Sequence, residues 1–563
     1  MLRKESKLGG GTYGIVYKVS TPDGETYALK RNLAELDQLS EVIRELDILN
    51  RLRGHPRIIT IKMVTTKDAL EDSDINSPLK VKGMRDDVFH FLFELADSDL
   101  ENWTRTHKLS LDQYKQFMID ILLGIEFITQ SGIIHRDIKP GNIVVFRPGK
   151  ENNTQNDSSS ESTPKGTPSL NDELIQSPPL PEQFSNLYRL KICDFGLATP
   201  ISLDDNNTPG VYTPWYRPPE IIGGHTDYDE KADYWAVGCI FYELLFKTPF
   251  TGKCDTKTDA AIARALIRRA HYAFDAYEIK EVLDYHGEQT IPNPPKSIYN
   301  QIIAKPDLRS MLIAEGIEYR KTAKDISDII NGLLQINPSK RWSATTALNH
   351  SFFDDRREYI EECRASCDPR YACQHIYNIV EVPERTWISE YITRLYNDKD
   401  SYNWYTHKRM FHAIDLFDRV LRYEKNKKGN KRIKTKEGGH VISNIEAEIY
   451  FFCCLHIAIT IFGSLTTAID IVEILPKHLN TKKHLAKIRS TQTMLLSDVF
   501  KFKIYRYTIY EAIHGKCKDK ELTEMCFYYA INKLTIETKS TKGLQPTDLA
   551  QEIIELVEAE QAQ

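Results

Sequence analysis

The sequence predicts an α+β domain, strand-rich at its start and helical in its remainder, followed by a separate all-α region. Three observations carry this prediction. The opening residues alternate apolar and polar positions around glycine turns. From Leu111 onward the apolar residues recur at helical spacing. After Phe353 the helical pattern continues to the end of the 563 residues, too far for one core to extend.

Residues 6–31 read as strand, glycine turn, strand, turn, strand through KLGGGTYGIVYKV, TPDG and ETYALK. Residues 38–53 place Val42, Leu46 and Leu49 on one helical stripe with charges opposite. A second strand pair is expected over 58–65 and 88–93. About 148–187 the chain is rich in Ser, Asn, Pro and Thr, too poor in apolar groups to fold alone, and reads as a disordered insertion. The basic stretch 426–439 reads as a solvated loop between two apolar helices. The expected domains are 1–360, then a helical domain over 380–515, then C-terminal helices over 516–563.

Hydrophobic content of 41% and charged content of 27% are those of an ordinary globular protein. A net charge of -5 on this length argues against direct nucleic-acid binding. MLRKESKLGGG has no apolar core of a secretory signal, and the ten cysteines have no framework spacing. An intracellular protein is expected, nuclear or cytoplasmic. Cys363, Cys367, Cys373 and His375 fit no common zinc spacing and read as thiols rather than a metal site. Residues 449–469 carry no charge beyond His456, long enough to cross a bilayer. Their Thr, Ser and Gly content, without flanking belts, reads instead as the centre of a helical domain.

The chemistry-bearing residues suit phosphoryl transfer, which needs a phosphate cradle, metal ligands and a group to position a hydroxyl. Gly9, Gly10 and Gly11, then Thr12, Tyr13, Gly14 and Val16, form a strand–turn–strand in which backbone amides can close over phosphate oxygens. Because a strand follows, the dinucleotide reading of the same glycine spacing fails. Lys30 in YALK would meet phosphates, held by Glu45 of the next helix. His135-Arg136-Asp137-x-Lys139-x-x-Asn142 precedes Asp194-Phe195-Gly196. Asp137 would orient and accept the proton of a hydroxyl, and Asn142 and Asp194 would bind Mg2+, which prefers hard oxygen donors.

These motifs in this order resemble the protein kinases, in particular the cyclin-dependent kinase family. Gly11-Thr12-Tyr13-Gly14, Ile43-Arg44-Glu45, Phe93-Glu94-Leu95, Trp215-Tyr216-Arg217-Pro218-Pro219-Glu220 and Asn337-Pro338-Ser339-Lys340-Arg341 are all similar to that family, over about 6–353. The resemblance implies a bilobal kinase fold using ATP and Mg2+. It implies Ala28 and Phe93 beside the adenine, with Phe93 as gatekeeper, backbone contacts from Glu94 and Leu95, and Asp99 near the ribose. It pairs Glu220 with Arg341, and Lys139 with Thr213 for Ser/Thr substrates. Thr208 takes the place of the activating phosphothreonine, with Arg44 and Arg136 as its arginines. Thr199 stands where the family has a third arginine, so the implied dependence on phosphorylation is weaker.

The C-terminal region resembles a cyclin box. Residues 411–421 resemble its second helix, 447–462 its buried third and 485–502 its fifth, although Thr460 and Thr493 replace the kinase-contacting Lys and Glu. The resemblance implies activation in cis by an intramolecular partner, with an external cyclin as a further partner and Ser/Thr-Pro proteins as substrates. Two rivals are a docking module in the same region and an inactive scaffold. The full set of Lys30, Glu45, Asp137, Asn142 and Asp194 speaks against the scaffold.

Overall fold

The computed structural model describes residues 2–11, 14–32, 39–52, 54–65, 90–148, 184–201, 210–252, 308–317, 320–366, 407–429, 444–462, 479–495 and 546–561, with isolated positions between 262 and 530. Its contacts divide the chain into two units. One comprises residues 1–33 and 52–369, the other 34–51 and 370–563.

The first unit opens with an antiparallel five-stranded sheet in the order β1-β2-β3-β5-β4. Its strands are β1 (Arg3–Gly11), β2 (Gly14–Ser20), β3 (Thr26–Asn32), β4 (Ile61–Thr65) and β5 (His90–Glu94). Alternation sends Tyr17, Val19, Leu29 and Leu92 to one buried face, where Leu2 joins them. The opposite positions of the same strands carry the predicted nucleotide-facing residues.

Shorter elements follow: β6 (Ser98–Asp99), α2 (Leu100–Thr106), α3 (Leu111–Gln130), β7 (Ile133–Ile134), β8 (Ile143–Phe146), β9 (Arg189–Ile192) and β10 (Thr199–Pro200). Ser110 caps α3 by accepting Gln113 N–H at 3.1 Å. The strand residues that flank the insertion, Phe146 and Arg189, are register partners on β8 and β9. The chain therefore leaves and returns at one point of an intact ladder, so a long connection costs little closure entropy. Residues 149–183 of the insertion lie outside the described residues. Residues 184–187 correct the expected boundary, since they are built into the domain. The Arg356 guanidinium stands 3.1 Å from the Phe184 ring centroid. Tyr188 N–H, next along the chain, donates to Gln113 Oε1 at 2.9 Å.

The unit is completed by α4 (Pro219–Ile222), α5 (Lys231–Phe246), α6 (Leu308–Ala314), α7 (Arg320–Leu333), α8 (Ala344–Leu348) and α9 (Arg357–Ser366). α5 is buried on nearly every side, Trp235 included. Glu220 and Arg341, paired by resemblance, form a bidentate bridge at 2.8 and 2.9 Å. α9 is held by Arg364, whose guanidinium donates to both oxygens of buried Glu126. Cys363 on this helix is buried, and burial pushes its thiol up to about 11. Cys367, Cys373 and His375 lie outside the described residues.

The second unit contains α1 (Leu39–Arg51) with α10 (His407–Gly429), α11 (Asn444–Phe462), α12 (Lys482–Met494) and α13 (Pro546–Gln561). α11 packs against α1, α10 and α12. A helix with three partners must be apolar all round, and Phe451, Phe452, Cys453, Leu455, Ile457 and Ala458 are all buried. This explains the uncharged run that membrane spans share. Among the described residues no helix is long and apolar enough to cross a membrane.

Two buried histidines in the first unit set an acid limit. His55 stacks on Phe127 at 4.4 Å and its Nδ1 accepts Arg57 N–H at 3.2 Å. Burial first, then Arg57 and Lys191, lower it to about 3, while burial and Arg31 lower His90 to about 4. An unfolded chain takes up these protons near 6.5, whereas the folded chain resists until far lower pH. Stability therefore falls as pH drops from 6.5 towards 4. Urea melts of the full chain should show this slope, and His55→Gln should flatten it; an unchanged slope would refute the assignment.

Candidate active site

The glycine turn is built as β1 meets β2 in the register Gly9↔Val16, Gly10↔Ile15 and Gly11↔Gly14. Gly14 is required by close approach, because a Cβ there would lie 2.7 Å from the Arg31 carbonyl. Thr12 and Tyr13, at the tip, lie outside the described residues. Across the sheet, Val16 pairs with Lys30 and Ala28 with Phe93. Pairing thus carries the predicted roof, the lysine and the gatekeeper onto adjacent strands. Phe93 is buried, while Val16, Ala28, Glu94 and Leu95 are half-buried. Asp99 sits at the foot of α2 and caps it, accepting Asn102 N–H at 2.8 Å.

The catalytic loop between β7 and β8 is shaped from behind by Asp233 of α5. Its buried carboxylate accepts His135 N–H at 2.7 Å and Arg136 N–H at 3.1 Å. Arg136 is thereby held at φ 65°, a conformation that costs a non-glycine residue energy and persists only under such constraint. Arg136 Nε donates to the Leu197 carbonyl at 2.7 Å, tying the loop to the segment after Asp-Phe-Gly. The ring of Phe195 is fully buried, 4.8 Å from His135.

Asp137 is the convergence point. One oxygen accepts Lys139 Nζ at 2.6 Å and Asn142 Nδ2 at 2.9 Å. The other accepts the Thr213 hydroxyl at 2.7 Å, and Lys139 also reaches Thr213 at 3.1 Å. Asn142 spends its amide N–H groups on Asp137, which leaves its carbonyl oxygen as the hard donor for a cation.

Asp194, at φ 62°, accepts Lys30 Nζ at 2.8 Å. Burial acts to raise its carboxyl, but Lys30, with His135 and Lys139, holds it below the ordinary value, so it is anionic at neutral pH. A carboxylate and an amide oxygen on neighbouring strand ends are a donor set that fits Mg2+. Among the described residues no cluster of His, Cys, Asp or Glu suggests another metal site.

Glu45 and Arg44 lie buried on α1, in the second unit. Thr208 lies outside the described residues. Thr199, in the place of the third arginine, is buried on β10 opposite Ile134. Sequence reasoning overlooked Asp233 as the loop's anchor and Tyr212, just before Thr213, as its neighbour. Tyr212 donates its hydroxyl to Asp233 at 2.8 Å and has φ 68°. No local signal in the sequence marks either contact.

A glycine-roofed sheet over a loop that groups Asp137, Lys139, Asn142 and Asp194 defines a class of phosphotransferase, the protein kinases. The protein kinase domain family matches residues 2–353, more than half of the chain, and the chain belongs to that family. Among curated relatives it is 28% identical over 359 residues to cyclin-dependent kinase C-3 of Oryza sativa subsp. japonica, covering 62% of this chain and 90% of that protein. It is 27% identical over 372 residues to cyclin-dependent kinase G1 of Arabidopsis thaliana, covering 63% of this chain but about half (49%) of that protein's length. Extracellular signal-regulated kinase 2 of Dictyostelium discoideum is 28% identical over 412 residues, covering 70% and 88% respectively. The solved CAK complex from Chaetomium thermophilum bound to ATP-gamma-S has a TM-score of 0.43 at 23% identity, covering 62% of this chain and 90% of that one. The family match ends at residue 353, so the cyclin-like reading of 380–515 rests on the sequence resemblance alone.

Asp137→Asn and Lys30→Met should each lower turnover by about 10²–10⁴-fold with the fold retained. Phosphate-transfer assays on variants with unchanged circular dichroism check this. Wild-type turnover in either would overturn the roles assigned to these residues.

Proposed function

We propose that the chain is a Ser/Thr protein kinase of cyclin-dependent type that uses MgATP and prefers proline after the phosphoacceptor. The observation that carries this is Asp137, held by Lys139, Asn142 and Thr213 with its carboxylate aimed by three partners. Asp137 accepts the proton of the substrate hydroxyl as its oxygen bonds the γ-phosphorus and the bond to the leaving diphosphate breaks. Lys139 neutralises charge beside that proton, and Lys30 orients phosphates from the sheet above. Mg2+, held by Asn142 and Asp194, would supply charge neutralisation on the phosphates.

The proline preference follows from Arg217. Its guanidinium donates to the carbonyls of Gly210 (2.8 Å), Val211 (2.8 Å) and Tyr212 (3.0 Å). The left-handed backbone at Tyr212 turns that carbonyl inward. Carbonyls satisfied within the protein offer nothing to a substrate N–H, so a residue without one loses nothing by binding there. On arrays of Ser/Thr peptides, proline at the following position should be enriched about tenfold, and Arg217→Lys should erode it, because an ammonium cannot span three carbonyls. A flat array would remove this preference from the reading.

A second reading concerns regulation, and the packing of α1 on α11 favours it. α1 carries Glu45, the predicted partner of Lys30, and it belongs to the unit formed with the C-terminal helices. The C-terminal region would then act in cis as a cyclin does, stabilising α1 at an effective concentration no separate partner matches. Ala458→Arg, at a fully buried position of α11, should disturb that packing and lower kcat by about tenfold or more, about 1.4 kcal/mol. ADP binding by the first unit should persist. Full kcat in a variant whose C-terminal helices have loosened, measured by hydrogen exchange, would leave the region a docking module.

A further inference from the structure

On the reading above, the backbone of Glu94 and Leu95 meets the adenine. The Glu94 side chain is engaged elsewhere. Its carboxylate accepts Lys191 Nζ through both oxygens, at 2.8 and 2.9 Å. Oε1 also accepts Thr60 N–H at 2.8 Å, while Glu94 N–H donates to the Thr60 carbonyl at 3.2 Å. The two charged side chains are only 14% and 8% exposed. The Lys191 ammonium lies 5.0 Å from the centroid of Phe146, which closes another side of the pair.

Lys191 stands on β9, three residues before Asp194. The same strand end is fastened by backbone. Ile192 N–H donates to the Arg57 carbonyl at 2.8 Å, Ile59 N–H to Ile192 at 2.9 Å, and Cys193 N–H to the Asn142 carbonyl at 2.9 Å. One ion pair therefore joins the end of β5 to the strand that delivers the metal-binding carboxylate.

We propose that Lys191 is a nucleotide-positioning residue, which acts through Glu94 to fix the adenine-facing end of β5 at a set distance from Asp194. It rests on the MgATP reading, since the two ends it joins are the two ends of that nucleotide. A bound nucleotide spans both, so a preset spacing spares it the cost of ordering the hinge on binding. Burial raises the Glu94 carboxyl, but Lys191 and the Thr60 N–H hold it below its ordinary value, so Glu94 is a carboxylate at neutral pH. Without Lys191 a buried carboxylate would lose its counter-charge and the hinge would shift to hydrate it.

The test uses the full chain and its Lys191→Met, Lys191→Arg, Glu94→Gln and Glu94→Gln/Lys191→Met variants. ADP affinity is read by titration calorimetry, and kcat with separate KM values for ATP and a Ser-Pro peptide by kinetics. Lys191→Met and Glu94→Gln should each raise the ADP Kd and the ATP KM about tenfold, with kcat within about threefold and peptide KM unchanged. The double variant should be no worse than either single, because both break one interaction. Lys191→Arg should recover to within about threefold of wild type, since a guanidinium also spans two carboxylate oxygens. An unchanged ATP KM in Lys191→Met overturns the proposal. So does a fall in kcat that tracks a lowered Tm with both KM values unchanged, which is what a merely structural pair would give. A wild-type chain that neither binds ADP nor phosphorylates overturns the kinase reading instead, and this role with it.

Discussion

The buried carboxylate of Asp233 supports most of what surrounds the active site. It lies on α5, a helix enclosed by the domain core, and it accepts two backbone N–H groups of the catalytic loop and the hydroxyl of Tyr212. A carboxylate out of water is costly unless its lone pairs are filled, and burial does raise its pKa. Here the filling groups are the very segments that must be placed. The strained backbone at Arg136 and Tyr212 is tolerated because this anchor over-determines both. From Arg136 the constraint passes to Leu197 and so to the segment after Asp-Phe-Gly. From Tyr212 it passes to Arg217, whose guanidinium donates to the Tyr212 carbonyl.

The site combines elements held in different ways. Asp137 is surrounded by three donors and its loop is fixed from the core. The glycine turn and Lys30 are placed by strand pairing, and Gly14 holds its register because no side chain fits against the Arg31 carbonyl. The Lys30–Asp194 pair bridges these two regions and keeps Asp194 ionised. A reaction that asks for positioning and charge stabilisation rather than covalent chemistry is served by such an arrangement.

The second unit reverses the usual relation between a catalytic domain and its flanks. α1 lies within the span matched by the kinase family, yet it packs in one unit with helices some 400 residues later. The cause is visible in composition. α11 has no polar face to give to solvent, so each of its sides must be covered, and α1 supplies one cover. A helix that carries Glu45 and Arg44 is therefore part of the C-terminal core.

Much of this was legible in the residues. The glycine turn, the loop from His135 to Asn142 and Asp194-Phe195-Gly196 are local patterns whose chemistry follows from residue type and spacing, and the structure assembles those within the described residues. The buried centre of α11 was readable in the same way, whereas the Glu220–Arg341 pair, 121 residues apart, was implied only by the family resemblance. The ion pair of Lys191 with Glu94, the anchoring by Asp233 and the inward carbonyl of Tyr212 were not. Each joins residues far apart in the chain or depends on a backbone angle, and a lysine on a strand looks the same in sequence whether it faces water or a buried carboxylate. The sequence by itself determined which chemical groups are available and in what local order. Only the tertiary structure decided which of them share a low-dielectric interior, because burial and partner choice are set by packing between distant segments rather than by neighbours in the chain.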